Sequence, residues 1–455
     1  MNNKVKNTGT SLTVVILFVA IFIVVNVFAT NLTDKFPLKL DLTEEKIYEI
    51  SDETKTYLDK LDKDINVYLF VNDETTPNSI KEITDRYCKM SNKLHLEMIN
   101  YIKNPGATTK YTSLGKTIGA NTVVFDSGDK FKVLEQSDLL AYNYFSGQND
   151  LLVAESKFTT AVMTLMRNKN VNAAFITGHG ELSPEKIKEL LDENSTDYKE
   201  VNISKGELTE EYDMAVIVAP QTDYTAEEID TLNAYLKSGK DLEVFLDFSS
   251  EKLVKLETYL EEWGIKYEDN IILEGDPTRI IGQQPYYISP ELSEHAVTNS
   301  LINGNILPII PASRSITVKW DAKNGTTVET IAKSSEKSYA KKNDSMNIEK
   351  EASDQSGPFS MATVSTNGKT NVIAFGTSMV LNPAMAAYNK DLIYNTINWA
   401  TTQEEPLDIT PKSLSTPMLK ISNVAMYLWF ILLTIIVPLC ILLYGVKVWY
   451  GRRHL

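Results

Sequence analysis

Only two of the 455 residues are cysteine, Cys88 and Cys440, and only four are histidine, His95, His179, His295 and His454. That scarcity excludes a disulfide framework, a CxxC redox pair and a thiolate zinc site, and it disfavours a histidine-rich metal centre. Three other signatures are missing: the phosphate loop GxxxxGK[ST], the zinc helix HExxH and the nucleophile elbow GxSxG. The chain therefore does not power itself with ATP through a P-loop, and no motif calls for a cofactor. Basic residues are few beside acidic ones, 45 against 60, for a net charge of −15. Nucleic acid and anionic surfaces are disfavoured as partners.

What the sequence does have is two long uncharged apolar runs, one from Leu12 to Ala29 and one from Val424 to Tyr444. Each is long enough to cross a hydrocarbon core of about 30 Å. Lys4 and Lys6 precede the first, and Lys447, Arg452 and Arg453 follow the second. The positive-inside rule then leaves both tips cytoplasmic and the acidic middle outside the cell membrane. Val27-Phe28-Ala29 also admits a cleaved signal peptide, although the run is long for one. Tyr427, Trp429, Tyr444, Trp449 and Tyr450 suit the two interfaces of the second span, and Pro438 is expected to bend it.

The expected plan is a cytoplasmic tip (1–11), a first span (12–30) and a small α/β domain (31–149). A parallel-sheet α/β domain (150–403) follows, with a mobile polar loop at 321–358. A proline-rich linker (404–423), a second span (424–444) and a basic tail (445–455) complete it. In the small domain, Ile65, Val67, Leu69 and Val71 alternate as a strand, as do Leu94, Leu96 and Met98. Between them Ile80, Ile83, Tyr87 and Met90 recur on one helical face, with Cys88 on that helix and expected to be buried. Ser127-Gly128-Asp129 joins a hairpin. The order β-α-β-hairpin suggests a thioredoxin-like outline without the redox pair. His95 and Glu97 read as a solvated polar face.

In the larger domain the runs from Val171, Met214, Leu242 and Asn371 read as buried strands alternating with amphipathic helices. One helix carries Ile187, Leu190 and Leu191; another is opened by the capping box Thr225-x-x-Glu228; a third carries Leu253, Leu256 and Leu260. Such alternation argues for a doubly wound parallel sheet. In such sheets ligands bind at the carboxyl ends of the strands. The loop residues there are Gly178, His179, Gly180 and Glu181 after the first strand, Asp247 at the end of the third and Ser378 after the last. They form the candidate ligand-binding set. His179 with Glu181 also admits an acid/base reading, that of a surface hydrolase or transferase, but no nucleophile or metal partner accompanies them.

Several segments together resemble the GldG family, an auxiliary membrane component of an ABC-type transport system first associated with gliding motility. They are DLTEEKIYEISDETKTYLDKLDKDINVYLF, AAFITGHGE, HAVTNSL, PASRSI, FGTSMVLNP and NKDLIYNTINWA, in that order between the two apolar runs. The resemblance implies a sheet domain similar to class I glutamine amidotransferases. It also implies an ATPase and a permease on separate chains. Amidotransferase activity does not carry over, because that fold's cysteine nucleophile has no counterpart between residues 89 and 439. The resulting expectation is a non-enzymatic, membrane-anchored auxiliary subunit that binds a partner, a surface glycan or a small molecule outside the membrane.

Overall fold

The computed structural model describes residues 21, 46–73, 78–143, 148–167, 171–183, 196–248, 252–342, 348–402, 409–414 and 432–453. Residues through Lys412 form one unit and those from Ser413 a second.

The chain enters the first unit through helix α1 (Asp52–Leu58), where the Ser51 hydroxyl accepts from the Thr54 amide and Asp52 and Glu53 favour the amino end. Strand β1 (Ile65–Val71), helix α2 (Ser79–Cys88), β2 (Leu94–Asn100), β3 (Thr122–Asp126) and β4 (Phe131–Leu134) follow. They build a four-stranded sheet in the order β2-β1-β3-β4, with β1 parallel to β2 and antiparallel to β3. The β-α-β-hairpin outline is thus present. Gly128, at φ +99°, supplies the hairpin turn, and the Asp126 carboxylate accepts its amide at 2.8 Å. Cys88 is buried, and that burial pushes its thiol up to about 12. His95 lies exposed on the open face, 3.0 Å from Asp64.

Helix α3 (Ala154–Met166), expected to open the larger domain, packs instead on the first sheet. Phe158 sits 5.3 Å from the rings of both Tyr87 and Phe125, and the Tyr87 hydroxyl donates to Thr159. Its buried face carries Phe158, Ala161, Val162 and Leu165.

The second sheet comprises β5 (Val171–Thr177), β6 (Thr196–Asn202), β7 (Met214–Val218), helix α4 (Ala226–Lys237), β8 (Asp241–Phe245), helix α5 (Val254–Glu262) and β9 (Ile265–Tyr267). After these come β10 (Asn270–Leu273), β11 (Ile316–Val318), β12 (Thr326–Lys333), β13 (Tyr339–Lys342), β14 (Ser360–Asn367), β15 (Thr370–Phe375) and helix α6 (Ala386–Thr402), of which β10 and β13 belong to a separate sheet. The order is β9-β11-β14-β15-β8-β7-β5-β6, with β12 paired to β14. Helix α6 covers one face through Leu392, Ile393 and Ile397, and α4 and α5 cover the other through Leu232, Leu236, Leu256 and Leu260. The helix expected at Ile187, Leu190 and Leu191 lies outside the described residues.

The sheet is mixed rather than parallel throughout. Strands β15, β8, β7, β5 and β6 run parallel, whereas β14, β11, β9 and β12 are antiparallel to their neighbours. The physical cause is a two-residue loop, Gly368-Lys369, between β14 and β15: so short a connection can join only antiparallel strands. In the described part of 321–358, the stretch expected to be a mobile loop, hairpin strands stand instead, and residues 343–347 lie outside the described residues. Asn324 and Gly325, at φ +52° and +82°, make a tight hairpin turn into β12, whose Thr326 and Val328 face inward. Further on, β13 pairs with β10, and Ser335 is buried with its hydroxyl donating to the Glu274 carboxylate at 2.5 Å.

Two carboxyl groups lie inside this sheet on β8. Burial pushes Glu243 up to about 8, against a hydroxyl bond from Thr396 on α6, and pushes Asp241 up to about 7 despite two bonds from Asn371. Raised carboxyls mean that the folded chain holds more protons than the unfolded chain across this window. Their contribution to stability is therefore complete below about pH 4 and lost as pH rises towards 8. The melting temperature should fall between pH 5 and pH 8, and Glu243→Gln, which keeps an acceptor for Thr396, should flatten that fall. An unchanged slope in the variant would show that Glu243 does not titrate there.

One carboxylate fastens the ends of the first unit. Glu155, buried on α3, accepts from the Ser51 amide at 2.7 Å and the Thr54 hydroxyl at 2.9 Å, and it pairs with Lys412 at 3.3 Å. The Lys412 ammonium also donates to the Glu49 carbonyl. The entering and leaving segments therefore meet at one point.

The first apolar run lies outside the described residues except for Ile21. In the second unit a π-helical turn (Leu432–Ile436) leads into helix α7 (Val437–Arg453), with Pro438 at its second position. A π-turn beside proline is a recognised way to bend a helix. Among the described residues no helix is long and apolar enough to cross a membrane.

Candidate functional site

Strands β5, β8 and β15 run in one direction, so the loops leaving them share one edge of the sheet. His179 and Glu181 follow β5, Asp247 follows β8 and Ser378 follows β15. The edge is further knit by the amide of Leu182 donating to the Val218 carbonyl and that of Leu246 to Phe375. All six candidate residues therefore stand at the carboxyl ends, but in two separate groups. Strand β7 lies between β5 and β8, which places the groups about 10 Å apart.

The first group is built on a turn that only glycine serves well. Gly178 and Gly180 have φ of +124° and +79°, and a Cβ on Gly180 would stand 3.1 Å from the Cβ of Gln221. Between them the chain turns back so that the His179 carbonyl accepts the amide of Gln221 at 2.7 Å. The imidazole is buried and stacks on Tyr224 with ring centres 4.0 Å apart. Its Nε2 lies 3.1 Å from a Glu228 carboxylate oxygen, and its Nδ1 lies 3.3 Å from Glu181, out of line for a hydrogen bond. Glu181 also accepts from the His179 amide and the Tyr224 hydroxyl.

Glu228 completes the capping box, taking the Thr225 amide at 2.7 Å and hydroxyl at 2.8 Å on the oxygen that meets His179. Burial opposes its charge, yet the Thr225 groups and His179 hold its carboxyl below the usual glutamate range. Burial pushes the Tyr224 hydroxyl well above its ordinary value, and the neighbouring Glu181 charge adds to this. The sequence named His179 and Glu181 but missed Tyr224 and Glu228. The capping box was the available signal, because it places a carboxylate directly after the loop of the adjacent parallel strand.

The second group pairs Asp247 with Ser378, whose amide donates at 2.6 Å and whose hydroxyl donates to the second carboxylate oxygen. Arg314, which the sequence reading did not single out, is buried beside them. Its guanidinium donates to Glu257 at 2.8 Å and to the Glu268 carbonyl at 3.0 Å, and it lies over the Tyr267 and Phe248 rings. Its own amide donates to the Gly376 carbonyl at 2.8 Å. Three of the segments quoted above, AAFITGHGE, PASRSI and FGTSMVLNP, thus converge on one edge.

Chemically these are ties. The imidazole has carboxylates at both nitrogens and a ring against one face, and the Ser378 hydroxyl is engaged by a carboxylate rather than by a base of histidine type. Neither group forms a nucleophile and base pair open to a substrate. Among the described residues no group of three or more His, Cys, Asp or Glu side chains is placed to hold a metal ion.

Residues 170–374 match the family model described as an ABC-type uncharacterized transport system, and residues 44–139 match a domain of unknown function, DUF7088. The first match supports an auxiliary component of an ABC-type transport system. No curated protein matches the chain. Among solved structures, the mmIFT52 N-terminal domain is 14% identical, with half of this chain and 97% of that one aligned at a TM-score of 0.39. A glutamine amidotransferase from Thermotoga maritima is 11% identical, covering 52% of this chain and 99% of that one at a TM-score of 0.26. The amidotransferase likeness is weak, and likenesses at this level leave function open.

Proposed function

We propose that the chain is a non-enzymatic, membrane-anchored auxiliary subunit of an ABC-type transport complex of the GldG kind. Its α/β region stands outside the membrane and binds a protein partner or a transported substrate there. The match of residues 170–374 to the transport-system family carries this reading. The self-paired carboxyl edge supports it, since charged groups already spent on one another make a firm binding surface and a poor catalytic one. The permease and the ATPase are separate chains, consistent with the missing P-loop.

Purification of the tagged full-length chain from its native membranes in mild detergent tests the reading. An ATPase and a permease should accompany it in stable proportion. Recovery of the chain alone, under conditions that keep other transport complexes whole, would count against an auxiliary role.

A further inference from the structure

Strand β2 ends the first sheet, and its ladder to β1 uses only one of its two sides. The Ile65 amide donates to the Lys93 carbonyl and the Tyr101 amide to the Val71 carbonyl, so within this ladder the amides and carbonyls of His95, Glu97 and Ile99 face β1. Those of Leu96 and Met98 point the other way, and among the described residues nothing bonds them. Proteins keep an open edge from pairing with lysine, proline or a bulge. Strands β4, β6 and β9, which end the sheets elsewhere, each carry a lysine: Lys132, Lys199 and Lys266. Strand β2, with the sequence LHLEMIN, has none of these devices. It runs for seven residues in unbroken register with β1, and Met98 and the neighbouring Ile102 are exposed.

We propose that β2 pairs with the β2 of a second copy of this chain, antiparallel about a twofold axis at Leu96. Pairing on the open side must set outward-bonding residues against outward-bonding residues, so the axis falls at Leu96, Glu97 or Met98. An axis at Glu97 opposes Glu97 to Glu97, like charges face to face. An axis at Met98 opposes Glu97 to Ile99 and Leu96 to Asn100, a polar group to an apolar one each time. The axis at Leu96 opposes His95, the strand's one basic residue, to Glu97, its one acidic residue, on both sides of the twofold. On the other face it opposes Met98 to Leu94. Leu96 then exchanges its amide and carbonyl bonds with its own symmetry mate, and the Met98 amide reaches the Leu94 carbonyl. The strand is therefore complementary to itself, which is what makes a second copy its occupant. The inference concerns the small domain alone and does not depend on the transport reading.

Disulfide cross-linking of the full-length chain in its membranes tests it, with Cys440→Ser in every variant and Cys88 left in place because it is buried. Bonded antiparallel neighbours stand about 5.5 Å apart between Cα atoms, within disulfide reach, whereas Cα atoms more than about 7 Å apart are not bridged. Under mild oxidation Leu96→Cys should form a linked dimer. Glu97→Cys and Met98→Cys, whose symmetry mates stand further along the ladder, should give about tenfold less. Chains carrying His95→Cys and chains carrying Glu97→Cys should link to each other when produced together. Adding Met98→Lys to Leu96→Cys should lower the dimer yield about tenfold and leave the melting temperature unchanged, since the lysine blocks the edge without entering the core. The proposal is overturned if neither Leu96→Cys nor the mixed pair links, or if Glu97→Cys or Met98→Cys links as well as Leu96→Cys, which would report collision or another register. Linkage of Leu96→Cys to a different protein would overturn it too, by showing another occupant on the edge.

Discussion

His179→Ala should destabilise the chain by about 2–4 kcal/mol, read as a lower denaturant midpoint with an unchanged slope. The substitution removes the stacked partner of Tyr224 and the bond to Glu228. It also leaves Glu181 and Glu228, whose side chains are 2% and 7% exposed, without the group that stands between them. Breaking a buried network from one side costs more than the network's net worth, because the remaining groups keep their desolvation penalty. A midpoint close to that of the unaltered chain would mean that the imidazole is dispensable to the fold. The loop would then have to be reconsidered as a site that faces a ligand.

Gly376→Ala should be at least as damaging, about 3 kcal/mol or more. A Cβ there would stand 2.2 Å from the Arg314 carbonyl oxygen and 2.3 Å from the Ser313 hydroxyl. Neither strand can yield easily: the Gly376 amide donates to Met361 at 2.9 Å, its carbonyl accepts from Arg314, and the Tyr267 hydroxyl bonds the Phe375 carbonyl. Gly368→Ala is the matched control, with φ +60° and open space about the new methyl, and should cost about 1 kcal/mol. If the two variants melted together, the close approach of these strands would not exist in solution.

The contrast between those glycines also shows what could be read in advance. Buried strands were legible wherever apolar residues ran together, as in Val171–Ile176 and Met214–Val218, because nothing else in a chain of this composition can occupy a sheet interior. The capping box at Thr225 and Glu228 was legible as well, though only as a helix start. Strand β6 was not. Its sequence TDYKEVN has only Thr196 and Val201 buried, as befits an edge strand solvated on one side, and that pattern does not differ from a polar loop. The pairs Asn324-Gly325 and Asn367-Gly368 carried the antiparallel half in plain view, since both are strong hairpin signals.

Of the site, the sequence showed which residues end the parallel strands and therefore which edge they share. It did not show what each side chain faces. His179 between two glycines has the look of an exposed group, and its enclosure depends on Tyr224 and Glu228, which are distant in sequence and adjacent only once β5 and β7 pair. Arg314 was hidden for a similar reason: its partners Glu257 and Glu268 sit on either side of β9, far along the chain.

The knot at Glu155 has a consequence for the chain as a piece of string. Because Lys412 bonds the Glu49 carbonyl and pairs with the Glu155 carboxylate that also accepts from Ser51, the stretch from Glu49 to Lys412 begins and ends at the same place. Ends that meet are the geometry circular permutation asks for: a short linker would close such a stretch head to tail, and an exposed turn such as Asn324-Gly325 would serve as the new opening.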